Sequence, residues 1–268
     1  MKKKQIEMAE CKTIMLGILK YLDEVCRNNN IEYTLMGGSL IGAIRHKGMI
    51  PWDDDIDVML MRDDYDRLIE ILSKEKSKQY SVLTWENNKT YPFPFAKLVD
   101  TRTTLIEKNI KTIDNYGLFV DIFPCDSLPK KFGRMYFLRK KFYRRLMGGY
   151  MCIDNQNMGI AKKIRKFVAE KIYGRERILR NFDKLSKKYN NSDKASNQVA
   201  HPWFSYNYKK AYIKGEFFDS FTDAEFDGLK VRIVEKYDEY LRFVFGDYMV
   251  LPPVEKRKSH GLTAYWRD

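Results

Sequence analysis

The chain has 268 residues, 44% of them hydrophobic and 14% aromatic, and its 49 Lys and Arg against 36 Asp and Glu give a net charge of +13. This length and apolar content exclude a disordered chain and predict one or two compact domains. No stretch approaches the roughly 18 apolar residues of a membrane-spanning helix, and acidic residues soon follow the basic N-terminus, against a signal peptide. We therefore expect a cytoplasmic protein.

The four cysteines are far apart and form no CxxC pair: Cys11, Cys26, Cys125 and Cys152. A thiolate metal site and a disulfide scaffold are therefore both unexpected. We expect buried free thiols.

The positive charge is concentrated in residues 130–188, which hold 19 Lys and Arg against 4 Asp and Glu. Their net charge is +15, which leaves −2 for the remainder. Aromatic residues lie among these charges: Phe132, Phe137, Tyr143, Phe167 and Tyr173. The pattern fits an anionic membrane surface, the phosphates of a nucleic acid, or an ordinary solvated surface.

Apolar residues at three- and four-residue steps predict a first helix over residues 5–27. A short strand over 31–36 ends at Gly37-Gly38, and Ser39 is expected to be the N-cap of a helix that ends near residue 45. A buried strand is predicted over 56–61 and a helix over 63–73. Four more strands are expected, at residues 80–85, 95–99, 103–107 and 118–123.

Beyond Pro129 the pattern changes to helices, at residues 132–146, 160–173 and 176–189. A polar loop over 190–197, short strands and a helix near 237–245 follow. We divide the chain into an N-terminal core (1–128), a basic helical insertion (129–200) and a mixed C-terminal segment (201–268). The predicted fold class is α+β.

The densest chemistry lies in residues 37–57, with the sequence GGSLIGAIRHKGMIPWDDDID. Four aspartates within five positions repel one another and require a compensating cation. On a strand, Asp55 and Asp57 would share a face and Asp54 would point away, so Asp54 is left out of the predicted site. Two carboxylates about 6–7 Å apart along a strand suit oxygen ligation of Mg²⁺.

Gly38 and Ser39 are expected to cradle a phosphate, because small residues at a helix N-terminus allow close approach and offer N–H donors. A Gly-Ser turn followed by Asp-x-Asp on the next strand resembles the nucleotidyltransferase superfamily. That resemblance implies a third carboxylate on a neighbouring strand. Asp121, the one charged residue in the apolar stretch 117–124, is the candidate; a strand-end cap or an ion-pair partner is the alternative.

Residues 37–57, continued by Asp63-Asp64-Tyr65, closely resemble the first motif of the LicD family, which is related to the fukutins. Residues 121–124 (DIFP) match its second motif. Residues 243–253 (FVFGDYMVLPP), with Glu255-Lys256-Arg257 and His260, resemble its C-terminal signature. One departure is Asp227 before Gly228, where the family more often has Glu.

The resemblance implies a nucleotidyltransferase-like mixed sheet core with flanking helices, and a C-terminal segment that completes the active site. It implies Mg²⁺, or Mn²⁺, held by Asp55, Asp57 and Asp121 against the diphosphate of a CDP-linked donor. Asp121 is also the candidate base for the sugar hydroxyl, and Asp53 is either an orienting group or an alternative base.

Basic side chains near these motifs are expected to neutralise the donor phosphates: Arg45, His46, Lys47, Lys97, Lys256, Arg257 and His260. His46 could instead be a structural histidine and Lys97 an outward-facing edge charge. A choline ammonium would need an aromatic face, for which Trp52 is the best candidate. Other aromatic candidates, each of which could equally pack in the core, are Tyr91, Phe93, Trp203 and Tyr206.

We therefore expect an enzyme that transfers phosphocholine from CDP-choline to a lipid-linked or other cell-envelope glycan, such as teichoic acid or lipopolysaccharide, and releases CMP. Alternatives are the same reaction with CDP-glycerol or CDP-ribitol, a nucleotidyltransferase proper, and a non-catalytic membrane adaptor. The resemblance also favours an anionic membrane or glycan over nucleic acid for the basic segment. This would place the protein peripherally at the inner face of the plasma membrane.

Overall fold

The structure is a computed structural model that describes residues 4–75, 77–107, 110–130, 134–151, 159–201, 213–257, 259 and 261–267. Five residues named above lie outside these ranges: Phe132, Cys152, Trp203, Tyr206 and His260.

Strands and helices alternate in the N-terminal half, and helices dominate the middle of the chain. The strands are β1 (Thr34–Leu35), β2 (Asp57–Met61), β3 (Tyr80–Leu83), β4 (Ala96–Asp100), β5 (Thr103–Ile106), β6 (Phe119–Pro129), β7 (Ala195–Ala200), β8 (Ile213–Lys214), β9 (Phe221–Phe226), β10 (Leu229–Val234) and β11 (Thr263–Trp266). The helices are α1 (Met8–Asn28), α2 (Gly37–His46), α3 (Arg62–Lys74), α4 (Arg134–Met151), α5 (Ile160–Phe167), α6 (Arg175–Ser186) and α7 (Tyr237–Phe245).

A mixed sheet with the strand order β1-β2-β6-β4-β3 forms the centre of the molecule. β2 and β6 are parallel, and the other neighbours in this order are antiparallel. β6 is long enough to leave this sheet and pair its second half with β7. Strands β9 and β10 form a separate hairpin, and β11 pairs with β5. The predicted α+β class is confirmed.

Helix α1 turns its apolar stripe into the main core, because Ile14, Ile18 and Leu22 recur at helical spacing and are all buried. The helix predicted over residues 5–27 is therefore confirmed, with its first turn starting at Met8. Three cysteines are buried free thiols, as expected: Cys11, Cys26 and Cys125.

Helix α2 begins three residues before the expected start. Met36 is its extended N-cap, and Gly37 begins the helix with φ +55°, which favours glycine. The Ser39 hydroxyl lies in the first turn and accepts a hydrogen bond from the Asp57 backbone N–H at 2.9 Å. The prediction that Ser39 is the N-cap is wrong, because its hydroxyl serves the start of β2.

The polar loop predicted over residues 190–197 is wrong at its C-terminal end, where β7 begins at Ala195. The strand forms because the second half of β6 offers an unpaired edge to it. Ser196 adds a hydrogen bond from its hydroxyl to the Leu128 carbonyl at 3.0 Å. The polar composition of these residues predicted a loop, but their long-range pairing with β6 makes them a strand.

The basic helices form a layer with a small core of its own. Helix α5 continues as a π-helical turn, Val168–Tyr173, and both pack against α4. Gly149 permits the close contact, because a Cβ there would lie 3.0 Å from the Arg165 carbonyl oxygen. The buried apolar residues of this layer are Leu146, Met147, Ala169, Ile178, Leu179 and Phe182. Among the described residues, no helix has the length and apolarity needed to cross a membrane.

Candidate active site

Three charged residues lie side by side across the middle of the sheet. Asp57 on β2 is in register with Asp121 on β6, which is in register with Lys97 on β4. Residues in register on adjacent strands project from the same face about 4.8 Å apart. The Lys97 Nζ donates a hydrogen bond to Asp121 Oδ1 at 2.5 Å, and both side chains are buried. Lys97 is therefore the partner of a buried carboxylate, and its alternative as an outward-facing edge charge is wrong.

The N-terminus of α2 lies against this row. The Met36 N–H donates to the Asp57 carbonyl at 3.0 Å, and a Cβ on Gly37 would lie 3.9 Å from Asp57 Oδ2. The first backbone bond within α2 runs from the Leu40 N–H to the Met36 carbonyl. The preceding N–H groups, from Gly37 to Ser39, have no carbonyl within the helix to bind and can face an anion.

Asp53, Asp54 and Asp55 form a compact cluster in which one carboxylate oxygen from each lies within 4.8 Å of the others. Gly38 is required beside it, because a Cβ there would lie 2.4 Å from Asp53 Oδ2. The strand argument that left Asp54 out is wrong, since β2 begins only at Asp57 and the run before it is not a regular strand.

The two carboxylates on the sheet beside this cluster, Asp57 and Asp121, have raised pKa values. Burial, with repulsion from Asp55 and Asp121, raises the pKa of Asp57 well above its usual range. Burial also raises the pKa of Asp121 to about 6, although its ion pair with Lys97 opposes the shift. These shifts arise mainly from burial, with the neighbouring carboxylates adding to it.

The cluster has the donor set that a hard divalent cation requires. Mg²⁺ prefers carboxylate oxygens, and it would relieve the repulsion between Asp55, Asp57 and Asp121. Asp57 and Asp121 are in register, and Asp53 and Asp55 are close enough to raise the pKa of Asp57. The carboxylate oxygens that lie within 4.8 Å of one another belong to Asp53, Asp54 and Asp55. The residues therefore fit a magnesium site.

Basic and aromatic side chains from three segments meet beside the acidic loop, which bears Asp53, Asp54 and Asp55. Arg257 lies over the Trp52 ring, with its guanidinium carbon 5.0 Å from the centroid, and His46 meets the same ring edge-on at 6.1 Å. Arg45 donates to the backbone carbonyl of Tyr248 at 2.5 Å. Burial and repulsion from Arg257 lower the pKa of Arg45. The predicted basic residues Arg45, His46 and Arg257 are thus neighbours.

Other predicted residues are placed differently. Lys47 ends α2 in the left-handed conformation with an exposed side chain, and Lys256 is exposed in a 3₁₀ turn. Tyr91 and Phe93 are buried, and Phe93 packs 5.2 Å from the Lys97 ammonium. These two aromatics belong to the core around Lys97.

Two aspartates outside the predicted set hold the loops of the site. Asp54 is buried, and its Oδ2 accepts hydrogen bonds from the Gly261 and Leu262 N–H groups at 2.9 and 3.4 Å. Asp54 thereby ties the C-terminal segment to the acidic loop. The strand-face rule hid this role, because it treated Asp54 as pointing away from the site.

Asp227 clamps the loop that follows α2. Its Oδ2 accepts from the Met49 N–H at 2.7 Å, and its own N–H donates to the Lys47 carbonyl at 2.7 Å. Aspartate is shorter than the glutamate that the family more often has at this position, but its carboxylate still reaches the loop. The signal in the sequence was the Asp227-Gly228 pair between two alternating strands, which is typical of a tight hairpin turn.

Comparisons with known proteins agree with this arrangement. The family model described as "LicD/FKTN/FKRP, nucleotidyltransferase domain" matches residues 30–145, which include the acidic motif and Asp121. The lipopolysaccharide cholinephosphotransferase LicD of Haemophilus influenzae is 33% identical over 270 residues, 96% of this chain and 97% of the relative.

Two uncharacterised rickettsial proteins match shorter stretches. The one from Rickettsia typhi is 36% identical over 89 residues, 33% of this chain and 28% of its own. The one from Rickettsia prowazekii is 40% identical over 65 residues, 24% of each chain. With the nearly full-length match to the Haemophilus protein and the motifs brought together in one site, this chain belongs to the LicD family.

Proposed function

We propose that this chain is a phosphotransferase that moves phosphocholine from CDP-choline to a sugar hydroxyl of a cell-envelope glycan and releases CMP, with Mg²⁺ as the cofactor. The nearly full-length identity to a lipopolysaccharide cholinephosphotransferase supports the reaction class. The structural observation that carries the proposal is the row of Asp57, Asp121 and Lys97 beside the N-terminus of α2.

The residues divide the binding of the donor between them. The N–H groups at the start of α2 and the side chains of Arg45 and His46 would bind phosphate oxygens. Asp55, Asp57 and Asp121 would hold Mg²⁺, which when bound supplies positive charge against the donor diphosphate. Lys97 keeps the Asp121 carboxylate in a fixed orientation within the sheet.

In the chemical step, the sugar hydroxyl attacks the phosphorus that carries choline. The new bond joins the sugar oxygen to this phosphorus, and the bond to the CMP oxygen breaks. The hydroxyl proton passes to a carboxylate, for which Asp121 and Asp53 are the candidates. Catalysis of this kind rests mainly on positioning and charge neutralisation.

A second donor is favoured by one observation. The ring of Trp52, the best candidate for a choline face, already contacts the guanidinium of Arg257. An uncharged alcohol, as in CDP-glycerol or CDP-ribitol, would leave that contact undisturbed, whereas choline would compete with it. The reaction and its carboxylates would stay the same.

The test measures CMP release from each CDP-alcohol in the presence of lipopolysaccharide or teichoic acid, and identifies the group added to the glycan by mass spectrometry. Phosphocholine on the glycan with equimolar CMP supports the proposal. Glycerol- or ribitol-phosphate on the glycan assigns the second donor. Nucleotide on the glycan contradicts both and indicates a nucleotidyltransferase proper.

A matched pair of variants connects the product to the site. Asp57→Asn should greatly reduce CMP release. Asp193→Asn, at an exposed aspartate in the loop before β7, should leave CMP release unchanged. Equal activity of the two variants would show that the reaction does not depend on the acidic cluster. CMP release that persists in EDTA would show that it does not depend on a divalent cation.

A further inference from the structure

Helix α5 exposes large apolar side chains on one face. Ile160, Ile164 and Phe167 are 78%, 59% and 60% exposed. Their spacing of four and three residues places them in one stripe along the helix. Ile172, in the π-helical turn that follows, is a further exposed apolar residue at 58%.

The opposite face of this segment packs against the protein. Lys166 and Ala169 are buried, and the backbone of Arg165 contacts Gly149 of α4. An amphipathic helix in a water-soluble layer normally turns its apolar stripe inward, as α1 does. In α5 the stripe faces outward, and large apolar side chains grouped on an exposed face are typical of interaction sites.

Positive charges flank the stripe. Residues 159–173 contain five Lys and Arg and one acid, Glu170, which forms an ion pair with Lys111. Lys163 and Lys171 are exposed beside the stripe, and Lys162 is exposed on the other side of the helix. An apolar stripe bordered by lysines is complementary to a surface that has an apolar interior and anionic head groups.

We infer that α5 and its π-helical extension dock the protein on an anionic lipid bilayer. The stripe of Ile160, Ile164 and Phe167 enters the boundary between head groups and acyl chains, and the lysines contact lipid phosphates. The 14 residues of this segment span about 21 Å, too short to cross a bilayer, so the helix lies in the plane of the interface.

Charge and side-chain type select a bilayer over other occupants. A second copy of the chain would bring the same basic segment to the contact and repel it. A nucleic acid would pair with the lysines, but its phosphates and bases would leave the isoleucines in water. A bilayer with anionic lipids satisfies both features at once.

The docking segment is firmly attached to the core. Arg175, two residues after the π-helical turn, donates hydrogen bonds to the carbonyls of Trp85 and Tyr91 at 3.0 and 2.8 Å. The loop that bears Tyr91 continues to Phe93, which packs beside Lys97. Docking would therefore hold the active site in a fixed orientation over the membrane, whichever donor the enzyme uses.

The experiment is flotation of the full chain with vesicles of phosphatidylcholine alone or mixed with phosphatidylglycerol, without donor or acceptor. We expect binding to the anionic vesicles only. Ile164→Ser with Phe167→Ser should weaken it at least about tenfold, since each apolar side chain contributes on that order to membrane partitioning. Lys163→Gln with Lys171→Gln should weaken binding and reduce its dependence on phosphatidylglycerol.

Ile106→Ser is the matched control, because Ile106 is a 55% exposed isoleucine on β5, and it should bind like the wild type. Unchanged thermal unfolding would show that the variants are folded, as expected for exposed positions. Failure of the wild type to bind anionic vesicles, or equal binding by the serine variant of α5, would overturn the inference. So would a dimer in sedimentation velocity that the serine variant abolishes. None of these outcomes depends on turnover, so failure here is distinguishable from failure of the proposed reaction.

Discussion

The sheet core and the basic helical layer both bury charged side chains, but they compensate them differently. In the core, Lys97 is bonded to Asp121, beside further carboxylates and a helix N-terminus. In the helical layer, Lys140 is equally buried, and its Nζ has no hydrogen-bond partner in the described part of the chain. It packs over the rings of Tyr136 and Phe182 instead.

This difference shows which charges belong to a reaction site. The core has more buried carboxylate than one lysine neutralises, a surplus that a divalent cation and a phosphorylated donor would use. Asp126 attracts the buried ammonium of Lys140 but already pairs with Arg62, so we interpret this ammonium as a cost to stability rather than a second site. Substitutions in each region can test that distinction.

The largest expected effect is on activity, from Asp57→Asn. CMP release should fall on the order of a thousandfold, because a carboxylate that holds the metal against the donor diphosphate is lost. In EDTA the same variant should unfold at higher denaturant concentration than the wild type, because one of several repelling carboxylates is gone. Activity within tenfold of the wild type, or a less stable variant in EDTA, would contradict the account.

The second effect is on stability, from Lys97→Met. Removing one partner of a buried ion pair costs about 3–5 kcal/mol, because Asp121 is left buried and uncompensated. Adding Asp121→Asn should restore part of this loss in a double-mutant cycle. Lys89→Met, at an exposed lysine in the preceding loop, should change the free energy of unfolding by less than about 0.5 kcal/mol. Equal effects of the two lysine substitutions in urea denaturation would show that the pair is unimportant.

In the helical layer, Lys140→Met is expected to increase the free energy of unfolding, whereas Lys97→Met in the core decreases it. Burial lowers the pKa of Lys140 to about 8, although Asp126 opposes the shift. Between about pH 8 and 10.4 the unfolded wild-type chain therefore binds more protons than the folded one. The free energy of unfolding of the wild type consequently increases as the pH rises through this range. At pH 7 the variant should be more stable by about 1–3 kcal/mol, and this gain should fade towards pH 10.

Thermal unfolding at pH 7, 9 and 10 measures the effect, with Lys141→Met, an exposed neighbour, as the control. A destabilised Lys140→Met at pH 7 would mean that the ammonium is compensated after all, and the contrast between the two regions would disappear.

The smallest expected effect concerns the clamp on the loop after α2. Asp227→Ala removes the acceptor of the Met49 N–H and leaves a left-handed residue (φ +49°) without a side chain that tolerates it. We expect a loss of about 1 kcal/mol and a higher KM for the donor. Asp227→Asn keeps both the acceptor and the conformation and should restore KM. Equal KM values for the alanine variant and the wild type would show that the loop needs no clamp.

The acidic motif and its partner strand were predictable because they are local or dense in the sequence. The run before Asp57 and the isolated Asp121 each stand out from their surroundings. The pairing of Asp121 with Lys97 was not predictable, because it depends on the register of β4 against β6. The same limit explains β7, whose polar residues form a strand only because β6 extends beyond the main sheet.

The side of the molecule that an apolar helix face points to is a further property that sequence patterns do not predict. Helices α1 and α5 share an apolar periodicity, yet α1 buries its stripe and α5 exposes it. The period predicts the helix and its stripe, but the orientation depends on what the opposite face contacts, here Gly149 of α4.

The most direct test of the central claim is thermal stabilisation by Mg²⁺ together with CDP-choline, CDP-glycerol, CDP-ribitol or CMP, for the wild type and Asp57→Asn. A ligand at about 100 times its dissociation constant adds roughly 2.7 kcal/mol of stability. The account predicts stabilisation of the wild type by CDP-choline with Mg²⁺, lost in the variant. No stabilisation of the folded wild type by any of these donors, or equal stabilisation of Asp57→Asn, would contradict it.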